Sequence, residues 1–236
     1  MTSDTTSDAA PTGAGVAPTL DEVIAARAAE VADHRRGRVP AALRRAHLLA
    51  VATKAFVEHG YDRVSMDDLA DAMGVSKPVV YDLAGSKEAL FRDVMADAAD
   101  ELARRIADAV RAEPDPDRRL FAGALAFFEF VADRRSAWSV LLSGEGGPVS
   151  EAMVALRRQQ ADHVTDLLVE GAVAAGIDVE PLWAEAAAHA VNGAFEALAS
   201  WWQGHPELGP ADLAALVTAL VEPGLASMAD GPTPAG

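Results

Sequence analysis

Six side chains between residues 65 and 87 carry groups able to hydrogen-bond an anion: the hydroxyls of Ser65, Ser76, Tyr81 and Ser86 and the ammonium groups of Lys77 and Lys87. Ser65 and Ser76 each precede a short segment of helical pattern. A helix start presents unbonded N–H groups and a partial positive charge, so a hydroxyl or ammonium beside it completes an anion site. For Ser65 a second role stands next to this one. It is placed to cap its helix, with Asp68 three residues on as an imperfect capping box.

Other chemistry finds little support. The chain has no cysteine, which excludes a disulfide framework, a thiolate zinc site and a cysteine nucleophile. Its six histidines form neither an HExxH nor an ExxH pair. His163 and His189 lie on amphipathic patterns, where a core or interface place is the commoner use. The carboxylates show no catalytic spacing, there is no GxSxG, and "GEGGP" lacks the strand and lysine of a phosphate loop. No catalytic residue, metal or cofactor is expected.

The elements that position these groups read as short helices. Pro40 opens a stretch with apolar residues at helical spacing up to Gly60. Residues 66–73 make a second helix ended by Gly74, and Ser76 caps a third through Tyr81, with Pro78 in its first turn, where a missing N–H costs nothing. Ser86 caps a longer helix starting near Lys87. Two short helices joined by a glycine turn describe a helix-turn-helix, whose second helix enters the major groove of DNA. Leu69, Ala70 and Met73 supply its buried face, and of Val79 and Val80 one packs inward while the other faces bases.

The run "RRAHLLAVATKAFVEHGYDRVSMDDLADAMGVSKPVVYDLAGSKEALF" closely resembles the DNA-binding domain of TetR/AcrR-type transcriptional regulators, over about 44–91. The resemblance implies a DNA-binding role for Arg45, Ser65, Met66, Ser76, Lys77, Pro78, Val79, Tyr81 and Lys87. Lys77, Pro78 and Val79 would lie on the recognition helix, and Tyr81 and Lys87 would hold phosphate. The chain departs from the family at "YDLAGSK": Leu83 and Ala84 stand where an aromatic is usual, and Asp82 places a negative charge near phosphate.

Charge and composition bound the rest. The chain is 50% hydrophobic and 6% aromatic, and its net charge is −16, which favours a helical protein and argues against a polyanionic partner for the chain as a whole. From His34 to Arg92, however, ten Lys/Arg face seven Asp/Glu, whereas residues 93–236 hold nine against twenty-three. Charges beyond about 10 Å are largely screened at moderate salt, so the local excess decides. No apolar run is long enough to span a membrane, and the first nineteen residues lack the basic-then-apolar pattern of a secretory leader. A cytoplasmic protein is expected.

The fold expected is all-α with about nine helices. Residues 1–39 form a disordered or partly helical extension carrying the basic "HRRGR" (34–38), which is either a minor-groove arm or a solvated linker. Residues 40–90 form the helix-turn-helix domain, 91–229 a helical effector-binding and dimerisation domain, and 230–236 a disordered tail. A short helix is expected around Trp138 to Leu142, and further ones near 149–175, 181–203 and 210–229.

Two sites are expected in the C-terminal part. Phe127, Phe128, Trp138, Leu141, Met153 and Phe195, with Gln160, His163 and Asn192 as polar members, would line a pocket for a mainly apolar small-molecule effector; core packing is the alternative for each phenylalanine. Leu182, Ala186 and Ala190, then Leu213, Leu216, Val217 and Leu220, make two apolar stripes that would form a four-helix interface between two copies. The reading that follows is a homodimeric, ligand-responsive repressor binding double-stranded operator DNA. The alternative is a helical ligand-binding or interaction module with weak or lost DNA binding; an all-α enzyme has only its abundant carboxylates in favour.

Overall fold

In a computed structural model the described residues are 19–34, 39–134, 147–174, 176 and 180–228. Among them every regular element is helical: α1 (Leu20–Asp33), α2 (Ala41–His59), α3 (Met66–Met73), α4 (Lys77–Ala84), α5 (Lys87–Ala112), α6 (Arg119–Asp133), α7 (Gly147–Ala174), α8 (Pro181–Trp202) and α9 (Pro210–Met228). A 3₁₀ turn, Pro116–Arg118, precedes α6. The short helix expected around Trp138 and most of the basic arm lie outside the described residues. No helix among the described residues is long and apolar enough to cross a membrane.

Local chemistry sets the ends of the small helices. Ser65 Oγ accepts from the Asp68 backbone N–H at 3.1 Å, and the Asp68 carboxylate accepts from the Ser65 N–H at 2.9 Å, closing a full capping box. Hydrogen bonds from the Ser65 hydroxyl and backbone hold the Asp68 carboxyl below its ordinary range. Gly74 ends α3 in the left-handed conformation (φ 63°), which a side chain would strain, and the Val75 N–H then donates back to the Ala70 carbonyl. Helix α4 is longer at its C-terminal end than expected, reaching Ala84 before Gly85 (φ 75°).

Two apolar cores share helix α5. The first gathers Leu48, Val51, Ala52 and Phe56 of α2, Leu69 and Ala70 of α3, Val80 and Ala84 of α4, and Leu90 to Ala99 of α5. The second joins Leu102 to Phe127, Phe128 and Val131 of α6, Val191, Phe195 and Trp202 of α8, and Leu213 and Val217 of α9. The division expected at residue 90 therefore meets an unbroken helix, and Phe91, Val94, Met95 and Ala99 pack with the N-terminal unit. Helix α1 lies on α2 with no buried residue of its own. Ile24 packs against the first core, and Asp21 pairs with Lys54.

Helix α9 corrects part of the expected interface. Leu213 and Val217 are each 1% exposed, within the second core, so they are not available to another chain. The apolar residues of α9 divide between two faces: 213 and 217 are four apart and point at α6, while Leu216 (46% exposed) and Leu220 (71%) point outward. Leu182, Ala186 and Ala190 of α8 are exposed too.

An ion cluster locks α5 to the end of α6. Glu101 accepts from Arg134 and from Arg105 at 2.8 Å, Arg105 also pairs with Asp133 at 2.9 Å, and both guanidiniums lie over the Phe130 ring. Burial pushes the Glu101 carboxyl up, but the hydrogen bonds and charges of Arg134 and Arg105 outweigh it, leaving it below its ordinary value of 4.5. A carboxylate depressed in the folded state stabilises above its unfolded pKa and loses that contribution as pH falls through the folded one. Glu101→Gln should cost about 1–2 kcal/mol at pH 7. In chemical denaturation, the gap between wild type and variant should shrink once pH falls below 4.5; a gap unchanged down to acid pH contradicts the cluster's charged character.

Candidate nucleic-acid interface

Helix α4 is anchored from behind. Val80 is fully buried and Ala84 is 7% exposed, whereas Ser76, Lys77, Pro78 and Tyr81 are exposed and Val79 is half-buried. Of the two valines, Val80 packs inward and Val79 lies toward the open side. The Ser76 hydroxyl makes no cap bond, unlike those of Ser65 and Ser86, so the first turn of α4 has no side-chain cap. Tyr81 is 42% exposed, with the Lys77 ammonium 6.0 Å from its ring centroid. Lys77 also pairs with Asp67 of α3 at 2.9 Å, clamping the two helices of the motif and neutralising one of two acids in the first turn of α3.

Lys87 is held ready on the other side of the motif. Its ammonium sits 4.4 Å from the Tyr61 ring centroid and donates to the Asp62 carbonyl at 3.3 Å, which leaves donors to spare. Tyr61 stacks on Phe56 and meets Phe91 edge-on, and burial, then the charge of Glu88, push its hydroxyl up to about 12. The Tyr61 ring is therefore a neutral platform for Lys87 at any physiological pH.

Lys87→Ala should weaken binding to every DNA sequence by a similar factor and reduce the salt slope of log K by about one unit. Titrations of operator and unrelated duplex at several salt concentrations check this. A loss confined to one operator variant, at unchanged slope, would give Lys87 a different role.

Three of the residues named from sequence take other places. Met66 is 5% exposed and sits in the first core; as the first residue of an amphipathic helix it serves packing. Arg45 uses both arms of its guanidinium internally, donating to the Leu83 carbonyl and pairing with Asp93, each at 2.6 Å. It ties the end of α4 to α5, a role that positions the recognition helix. Its partners lie 38 and 48 residues away, so no local pattern could reveal them. Ser65 spends its hydroxyl on the capping box.

Leu83 packs against the first core, and Asp82 is exposed. The motif thus keeps its packing, with an acidic group on its surface.

The expected effector residues separate. Phe127, Phe128 and Phe195 are buried against one another, with ring centroids 5.1 to 5.6 Å apart, and Trp202 meets Phe128 at 6.1 Å. Asn192 lies on the same helix as Phe195, and its amide nitrogen is buried with no partner among the described residues. His163 does not join them: it is exposed, in a groove between α5 and α7, because its place on an amphipathic helix fixed only a face and not a neighbour. Trp138 and Leu141, and the side chains of Met153 and Gln160, lie outside the described residues.

A family model described as bacterial regulatory proteins of the tetR family matches residues 48–94, and one described as the tetracyclin repressor-like C-terminal domain matches residues 116–226. The chain belongs to the TetR family. It is 36% identical over 141 residues to the HTH-type transcriptional activator FasR of Mycolicibacterium smegmatis. That stretch covers 57% of this chain and 64% of FasR, a little under two thirds of the relative's length.

Among solved structures, a TetR-like transcriptional regulator from Rhodococcus sp. RHA1 superposes with a TM-score of 0.57 at 26% identity, covering 80% of this chain and 99% of its own. A tetR-family transcriptional regulator from Streptomyces coelicolor gives 0.61 at 22% identity, over 80% and 85%, a likeness of fold alone. The matches point to a transcriptional regulator, with an N-terminal helix-turn-helix followed by a C-terminal helical domain.

Proposed function

We propose that this regulator acts as a homodimer on a near-palindromic operator, represses by occluding it, and is released by a small, mainly apolar effector bound in the C-terminal domain. The observation that carries DNA recognition is the outward face of α4. Ser76, Lys77, Pro78, Val79 and Tyr81 are offered to solvent while Val80 and Ala84 fix the helix behind them. Phosphate contacts from Lys87 and Tyr81 position the domain, and the start of α4 reads base edges.

The dimer is supported by the outward apolar residues of α8 and α9, namely Leu182, Ala186, Ala190, Leu216 and Leu220, which a single chain leaves in water. Two copies joined there form a four-helix contact of twofold symmetry. The effector is supported by the aromatic cluster and the unmet amide of Asn192 beside it. An effector releases the operator only if it binds the two states of the regulator with different affinity.

A second reading concerns the sign of regulation. FasR is named an activator, and the same DNA-binding geometry activates when the operator lies where it aids the polymerase. Selecting bound fragments from a genomic library, footprinting them and placing them before a reporter decides both points. Two protected half-sites about 34–36 Å apart, with reporter output lowered, are expected. Raised output establishes activation instead, and no enriched fragment supports the helical module without DNA binding.

A further inference from the structure

The seam between α5 and α7 holds a groove of about 390 Å³ lined by Asp100, Ala103, Arg104, Ala107 and Arg111 of α5 and His163 of α7. We infer that this groove binds a small organic anion, its oxyanion head (carboxylate or phosphate) held by Arg104 and Arg111 and its apolar stem laid on Ala103 and Ala107. The volume lies within the range of small-molecule sites. The inference concerns a site separate from the aromatic cluster and depends on neither the operator nor the dimer.

Charge is the first argument. Residues 93–236 carry nine arginines, no lysine and twenty-three acids, yet two of those arginines and a histidine meet in this one groove. Among the described residues the only carboxylate lining it, Asp100, accepts a 2.7 Å bond from Gln159, which turns one of its oxygens away from an incoming anion.

Spacing is the second. Arg104 and Arg111 are seven residues apart, two turns of one helix face, about 10 Å along the axis. Two guanidiniums that far apart can converge on one head group from either side, and their forked donors match an oxyanion. Ala103 and Ala107 leave the floor between them low.

The local alternatives explain Arg104 poorly. It lies two turns before the end of α5, beyond reach of the helix dipole, and no partner for it is found among the described residues. Arg111 does sit in the last turn and pairs with Asp108 at 2.6 Å. That pair is more than two-thirds exposed on both sides, so it competes weakly with an anion. The His163 ring, with Nδ1 2.9 Å from the Gln159 carbonyl, forms the facing wall.

Hexanoate, hexyl phosphate and hexanol, titrated into the full chain by ligand-observed NMR at about 0.15 M salt, test the site. At least one anion should bind at least tenfold more tightly than hexanol, and the tighter of the two identifies the head. Arg104→Gln with Arg111→Gln should abolish that tenfold preference, while Arg118→Gln, an exposed cation outside the groove, should keep it. The ring signals of His163, assigned through His163→Gln, should move with the anions. Equal binding of hexanol, a preference that survives the double substitution, or an unmoved His163 signal would each overturn the inference.

Discussion

Leu216→Glu together with Leu220→Glu is expected to yield a folded monomer that has lost tight operator binding. Both side chains point away from the second core, at 46% and 71% exposure, so charges there do not disturb the single chain. In a twofold interface each substitution appears twice, and four carboxylates would be buried against apolar partners at a cost of several kcal/mol each if left unpaired. Losing the dimer removes the simultaneous engagement of two half-sites, an expected fall in operator affinity on the order of 10²–10⁴. Sedimentation gives the mass, circular dichroism the fold and a gel titration the affinity. An unchanged dimer would move the interface elsewhere.

Phe128→Ala is expected to have the largest effect on stability. Phe128 is fully buried and touches Phe127, Phe195 and Trp202 through ring contacts of 5.1 to 6.1 Å. Truncation leaves a cavity at the meeting of α6 and α8 and should cost about 3–5 kcal/mol. From sequence alone the same substitution reads as a test of effector affinity. Its burial makes it first a test of the core, to be read by chemical denaturation before any ligand is added. A loss under 1 kcal/mol would mean that the site was never well packed and would favour an open cavity there.

The sequence read well wherever short-range chemistry decides. Ser65 with Asp68, the glycine at 74 and the proline at 78 fix helix ends within a few residues, and the helix-turn-helix followed from them. Side chains that act across the fold were not readable. The resemblance implied a DNA-binding role for Arg45, but its partners come from α4 and α5.

Periodicity located the apolar residues of α9 without saying which of two faces meets α6, so Leu213 and Val217 were grouped with Leu216 and Leu220. The arginines at 104 and 111 could have been noticed as a basic stripe at helical spacing. Their meeting with His163 could not, because it depends on how α7 lies along α5.

The tie made by Arg45 gives the long helix α5 a mechanical meaning. Leu83, at the end of α4, and Asp93, near the start of α5, are held by one guanidinium, which couples the direction of α4 to that of α5. With 26 residues, α5 is a lever about 39 Å long. A rotation of about 5° at one end sweeps the other through about 3 Å, close to the spacing of one base pair along DNA. In the proposed dimer, such a tilt imposed from the C-terminal half would carry the two recognition helices out of register with their half-sites.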